Sequence, residues 1–118
     1  MNANDFEQTV KRLNCRQIAW QEARNQFYSD LQAEGRLLRG MRMHLDNAPV
    51  GAVTLPGHER DYTERAANHE AAQTLYDAEI VPLDTAIKKA RCELDAVTLE
   101  TKIVEAENMI EQMKEYFS

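Results

Sequence analysis

"DNAPVGAVTLPG" (residues 46–57) holds two of the chain's three prolines and two of its four glycines. Proline lacks a backbone donor and glycine loosens the chain, so a regular helix does not cross this stretch. The run "VGAVTL" inside it is suited to a brief extended segment. The residues on both sides have helical patterns, so the stretch, about 47–57, reads as a turn between helices within one domain covering residues 1–118.

Upstream, a helix is expected over about 4–46, with Asn4 or Asp5 as its cap. Its apolar residues recur in alternating steps of three and four. Val10, Leu31, Leu38 and Leu45 fall at a positions of a heptad, and Phe6, Leu13, Trp20, Phe27 and Met41 at d positions. Gln17, Arg24 and Glu34 are polar exceptions on this seam. Gly35 and Gly40 each cost a helix roughly 1 kcal/mol relative to alanine, so "EGRLLRG" is a place for a bend.

Downstream, a second helix is expected over about 58–117, kinked at Pro82. Its seam runs through Tyr76, Ile80, Leu83, Ile87, Ala90, Leu94, Val97, Thr101 and Val104. Folding the chain at the turn sets Leu45 against Tyr62, Leu31 against Tyr76, Phe27 against Ile80, Trp20 against Ile87 and Gln17 against Ala90. The fold class is therefore all-α, an antiparallel coiled-coil hairpin of long helices. A compact three- or four-helix bundle is the alternative.

The end of the chain strains the hairpin reading. Leu99, Ile103, Ala106, Ile110, Met113 and Phe117 form a second apolar face opposite the seam. In the expected register residues 107–118 overhang by about 18 Å at 1.5 Å per residue. An apolar stripe of that size normally marks a contact, so these six residues are the expected self-association surface, with a dimer favoured. Closure of the chain into a bundle would bury them instead.

The charge is uneven. Residues 1–60 carry eight Lys/Arg and seven Asp/Glu, a balance of +1, whereas residues 61–118 carry six and thirteen, a balance of −7. The acidic half argues against binding a phosphate backbone. No run approaches the roughly 18 apolar residues of a membrane span, and "MNANDFEQTV" lacks signal-peptide features, so cytoplasmic residence is expected. Cys15 and Cys92 are too few for a disulfide framework and are expected to be free thiols.

Candidate chemistry is sparse. His44, His58 and His69 have no partner at a spacing that puts two imidazoles on one helix face, so no metal or other cofactor is expected. Glu100, Glu105, Glu107, Glu111 and Glu115 have no evident cleft to separate their pKa values, and no phosphate-loop, dinucleotide, zincin or nucleophile-elbow signature occurs. Arg36, Arg39 and Arg42 form a basic ridge near the turn, suited to an acidic partner or to pairing with Asp46, Glu59, Asp61 and Glu64. The expected function is a non-enzymatic protein–protein interaction module, an adaptor, assembly factor or inhibitor. The alternative is an acidic inhibitor, of the kind phages encode, that occupies a nucleic-acid-binding site on a target protein.

Overall fold

The computed structural model describes residues 2–52 and 55–117. Helix α1 spans Ala3–Asp46. Its cap is Asn2, whose Oδ1 accepts from the Asp5 backbone N–H at 2.9 Å, so the helix starts slightly before the expected Asn4 or Asp5. At about 1.5 Å per residue α1 is about 66 Å long, most of the 74 Å long axis of the molecule. The expected seam is the face that packs: Leu13, Trp20, Phe27, Leu31, Leu38 and Leu45 are buried, although Phe6 stands exposed.

The polar exceptions on the seam each have a partner. Buried Gln17 accepts from Arg91 Nη1 at 3.3 Å. Arg24 Nη1 lies 2.7 Å from Asp84 Oδ1, and Glu34 receives two hydrogen bonds from Arg65. α1 runs unbroken through both glycines, so neither ends the helix. Gly35 instead serves a close approach: a Cβ there would lie 3.4 Å from His69 Nε2, the ring nitrogen that sits 3.0 Å from the Leu31 carbonyl oxygen.

After α1 the chain reverses through Gly51, whose φ of +86° favours a residue without Cβ. Helix α2 spans Leu55–Leu75. Pro56 and Gly57, expected in the turn, therefore belong to its first helical turn, where a missing N–H costs nothing. Val53 and Thr54, part of the run read as extended, lie outside the described residues. α2 passes through one π turn, Tyr76–Ile80, directly into α3, Val81–Cys92. The Val81 N–H bonds to the Tyr76 carbonyl just ahead of the donorless Pro82. Where the sequence suggests a kink, the hydrogen-bond ladder widens by one residue.

Two contacts in the middle of α1 fall near the expected register, and those nearer the turn do not. Gln17 and Arg24 meet Arg91 and Asp84, within a residue of the anticipated register. Phe27, however, stacks on Tyr76 at 6.1 Å, and Leu31 meets His69. Near the turn the pairing also follows the earlier start of α2 at Leu55, before the expected 58.

The expectation of one second helix over 58–117 is corrected. The chain reverses again at residues 93–95. The Asp95 N–H bonds to the Ala90 carbonyl at 3.0 Å and the Leu94 N–H to the Arg91 carbonyl at 3.2 Å. Leu94 has φ +55°. This pair of bonds around a left-handed residue is a Schellman stop. Asp95 then caps the next helix, accepting from the Thr98 backbone N–H at 3.1 Å and from its hydroxyl at 2.7 Å. Helix α4, Ala96–Met113, follows and closes in a 3₁₀ turn, Lys114–Phe117.

α4 rises beside α1 and against α3. Arg16 binds Glu107, Trp20 reaches Ala106, and the Phe27 and Phe117 rings lie 5.2 Å apart. Leu94, Val97, Thr101 and Val104, expected on the hairpin seam, are exposed, while the opposite face of α4 is buried. The expected overhang does not exist. The chain makes three helical passes over one half of its length and, among the described residues, two over the other. The molecule measures 74 × 19 × 18 Å, and no described helix is long and apolar enough to cross a membrane.

Candidate functional site

The six residues expected to form a self-association stripe are core residues of this chain. Leu99, Ile103, Ala106, Ile110 and Met113 are buried, and Phe117 is half-buried against the same core. Trp20 Nε1 donates to the Ala106 carbonyl at 3.0 Å, a contact that the small side chain of Ala106 leaves room for. Asn68 Nδ2 donates to the Tyr116 carbonyl at 2.8 Å and ties the end of α4 to α2. Burial of this stripe removes the ground for self-association through it.

The rim of the α4 berth is charged. Arg16 holds Glu107 through Nε at 3.2 Å and through Nη2, and Arg12 and Arg16 both approach Glu100. The hydrogen bond that Arg16 donates to Glu107 raises the Arg16 pKa, partly opposed by desolvation. Glu105 and Glu111 pair with Lys102 and Lys114. The acidic helix is therefore a face of mixed charge, and pairs this exposed contribute at most about 1 kcal/mol each.

A second polar group was not anticipated from the sequence. Arg24 lies 5.6 Å from the Trp20 ring centroid, and Asp84 is shared between Arg24 and Lys88. The Arg24–Asp84 contact is close but poorly aligned: Arg24 Nε and Asp84 Oδ1 are buried without a hydrogen-bond partner. Tyr76 stands nearby, and desolvation pushes its pKa up, with Arg24 acting the other way. The only signal for this group was Arg24 at an a position.

The basic ridge divides. Arg42 pairs with Glu59 through two hydrogen bonds, with Asp46 through a third, and covers the Tyr62 ring at 5.0 Å. The Glu59 and then the Asp46 hydrogen bonds hold its pKa above the usual arginine value. Arg36 and Arg39 are exposed and have no ion pair among the described residues.

Arg36 lines a groove of about 490 Å³ between α1 and α2, with Leu37, Gly40, Met41, His44 and His58 among the walls. Leu37 and Met43 on this arm are exposed, Leu37 at 47% and Met43 at 66%. The floor of the arm is closed by buried Leu38 and Leu45. Leu37 and His44 repeat the heptad position of Arg16 and Ala23, and Met41 that of Trp20 and Phe27. The groove is thus the continuation of the face on which α4 lies. The Glu34–Arg65 ion pair crosses between the two stretches, beside Tyr116 and Phe117.

Of the histidines, His44 and His58 belong to this groove, and His69 caps a carbonyl of α1. Among the described residues no group of three or more His, Cys, Asp or Glu converges on a point that would hold a metal. Cys15 and Cys92 are exposed free thiols. No protein-family model, curated protein or solved structure matches the chain, so the geometry of the arm carries the functional argument.

Proposed function

We propose that the protein is a non-enzymatic protein–protein interaction module, an adaptor, assembly factor or inhibitor, in which a three-helix body holds out a two-helix arm. The arm is an antiparallel coiled-coil pair of α1 and α2, and its groove is the contact surface. One observation carries the reading: the apolar face of α1 that receives α4 along the body continues into the arm, where no described helix covers it. The groove sets solvent-exposed apolar surface beside Arg36 on α1 and Asp61 on α2, and exposed apolar surface with a polar rim is the composition of a contact patch. Two free, exposed cysteines suit a reducing cytoplasm.

The alternative of an acidic nucleic-acid mimic draws less support, because Glu100, Glu105, Glu107 and Glu111 have cationic partners within the chain. The test is site-specific photo-crosslinking in the native host, with the crosslinker at Leu37 or at the exposed Asp77 of the π turn. Discrete protein adducts at Leu37 and none at Asp77 are expected. Equal adducts at both positions, or none at Leu37, would refute an arm contact.

A further inference from the structure

We infer that α4 exchanges between two copies of the chain. The reversal at residues 93–95 opens, α3 and α4 join into one helix, and each α4 packs on the α1 of the other copy. Neither wall of the arm groove takes part. The ground is not an exposed stripe but the hinge, together with the second apolar face of α4.

The hinge is short and strained. Three residues join α3 to α4, and the middle one, Leu94, holds φ +55°, which a residue with Cβ rarely adopts. No glycine or proline occurs between Pro82 and the end of the chain, so local backbone chemistry permits a helix straight through residues 93–95. Straightening replaces the two bonds of the stop, Leu94 N–H to Arg91 and Asp95 N–H to Ala90, with ordinary helical ones. Short hinges under strain are where such exchange occurs.

The second face of α4 has a waiting partner. Val97 is 79% exposed, and Leu94, Thr101 and Val104 are exposed beside it. At the start of α1, Phe6 is exposed and Val10 half-buried. Gln17 with Arg91 and Arg24 with Asp84 set the register between α1 and α3. Carried onward in that register, a straight α3–α4 helix brings Val97 and Thr101 to the level of Val10 and Phe6. Leu94, Val97, Thr101 and Val104 then continue the seam of Ile80, Ile87 and Ala90 in steps of three and four. The closed chain buries one face of α4, whereas the exchanged state buries both.

Direction selects a second copy as the occupant. In the closed chain α4 runs parallel to α1, with Glu100 by Arg12, Glu107 by Arg16 and Phe117 by Phe27. Continuing α3, it runs antiparallel to its own α1 and leaves its berth. A copy turned end for end presents the same berth in the required direction, and one two-fold axis serves both chains. The Trp20–Ala106 and Arg16–Glu107 contacts are then remade between chains.

Leu94→Val with Asp95→Ala puts a β-branched residue in the left-handed position and removes the α4 cap. At equal concentration this variant should raise the dimer-to-monomer ratio about tenfold or more over wild type, by light scattering. The mode of association is read by cross-linking. With Cys15→Ser and Cys92→Ser in every chain, Arg16→Cys chains and Glu107→Cys chains are unfolded and refolded together, then treated with a short bismaleimide. Exchange predicts a link from 16 to 107 between chains in the dimer. Val97→Glu should leave the monomer's unfolding midpoint unchanged and lower the dimer-to-monomer ratio by about tenfold.

A dimer without that link overturns exchange, because closed copies packed side by side keep positions 16 and 107 together within each chain. A folded hinge variant that stays monomeric over about a hundredfold range of concentration overturns it as well. If the hinge variant does not fold, wild type held concentrated just below its unfolding temperature is read by the same cross-link, and absence of the link is again decisive against exchange. An exchanged dimer indifferent to Val97→Glu overturns the joined helix.

Discussion

Trp20 Nε1 donates to the backbone carbonyl of Ala106 at 3.0 Å, across the buried boundary between α1 and α4. An indole needs a partner for its one donor when buried, and the short side chain of Ala106 exposes a carbonyl to it. The contact fixes how far α4 slides along α1. Trp20→Phe should lower stability by about 1–2 kcal/mol through the lost hydrogen bond and volume. Ala106→Leu should cost about 1–3 kcal/mol by overpacking. Urea unfolding of both variants checks the pair.

Ile103 is fully buried on the same face. Ile103→Asp should therefore unfold or detach α4, with a loss above about 3 kcal/mol. A self-association stripe would behave differently, giving a folded monomer with unchanged helicity. Light scattering with far-ultraviolet circular dichroism separates these outcomes.

Leu94 holds φ +55° at the reversal between α3 and α4, with its side chain 72% exposed. A left-handed conformation costs a residue with Cβ about 1–2 kcal/mol, and the exposed side chain offers little packing in return. Leu94→Gly should raise stability by about 1 kcal/mol. In an uninterrupted helix the same change would lower it by a similar amount, so the sign of the change in denaturant midpoint reports the local fold.

Asp95 caps α4, and the Thr98 hydroxyl, then the Thr98 backbone N–H, hold its pKa below the usual carboxylate value. A carboxylate depressed in the folded state contributes stability above its unfolded pKa. That contribution disappears as pH falls through the ordinary carboxylate range and below it. Asp95→Ala should be less stable than wild type at pH 7, and the difference should shrink towards pH 3. Paired denaturation curves at the two pH values test this.

Gly40 lies in the middle of α1 with open space around it, while Gly35 faces His69. Gly40→Ala should stabilise by about 0.5–1 kcal/mol. Gly35→Ala should gain less, because its new methyl must fit beside the imidazole that caps Leu31. Thermal melts of the two single variants provide the comparison.

The long first helix, its buried seam and the reversal after Asp46 were legible in the sequence. Leu13 through Leu45 repeat with the period of one helix face, and Pro49 and Gly51 interrupt the helix by local backbone chemistry alone. The stop at Leu94–Asp95 was not legible, because no glycine or proline marks it and the heptad steps continue through Val97 to Val104. Locally, a continuous helix and a reversal at Leu94 both satisfy the pattern. Only the tertiary structure distinguishes them: a continuous helix would leave Leu99, Ile103, Ala106, Ile110 and Met113 in water, whereas reversal buries all five against α1 and α3. Burying those side chains, at roughly 1.5–3 kcal/mol for each large one, outweighs a left-handed leucine costing about 1–2 kcal/mol. The same choice places the uncovered apolar face on the arm instead of at the chain's end. Local propensity determined where helices can form, and non-local burial decided which face became core and which became surface.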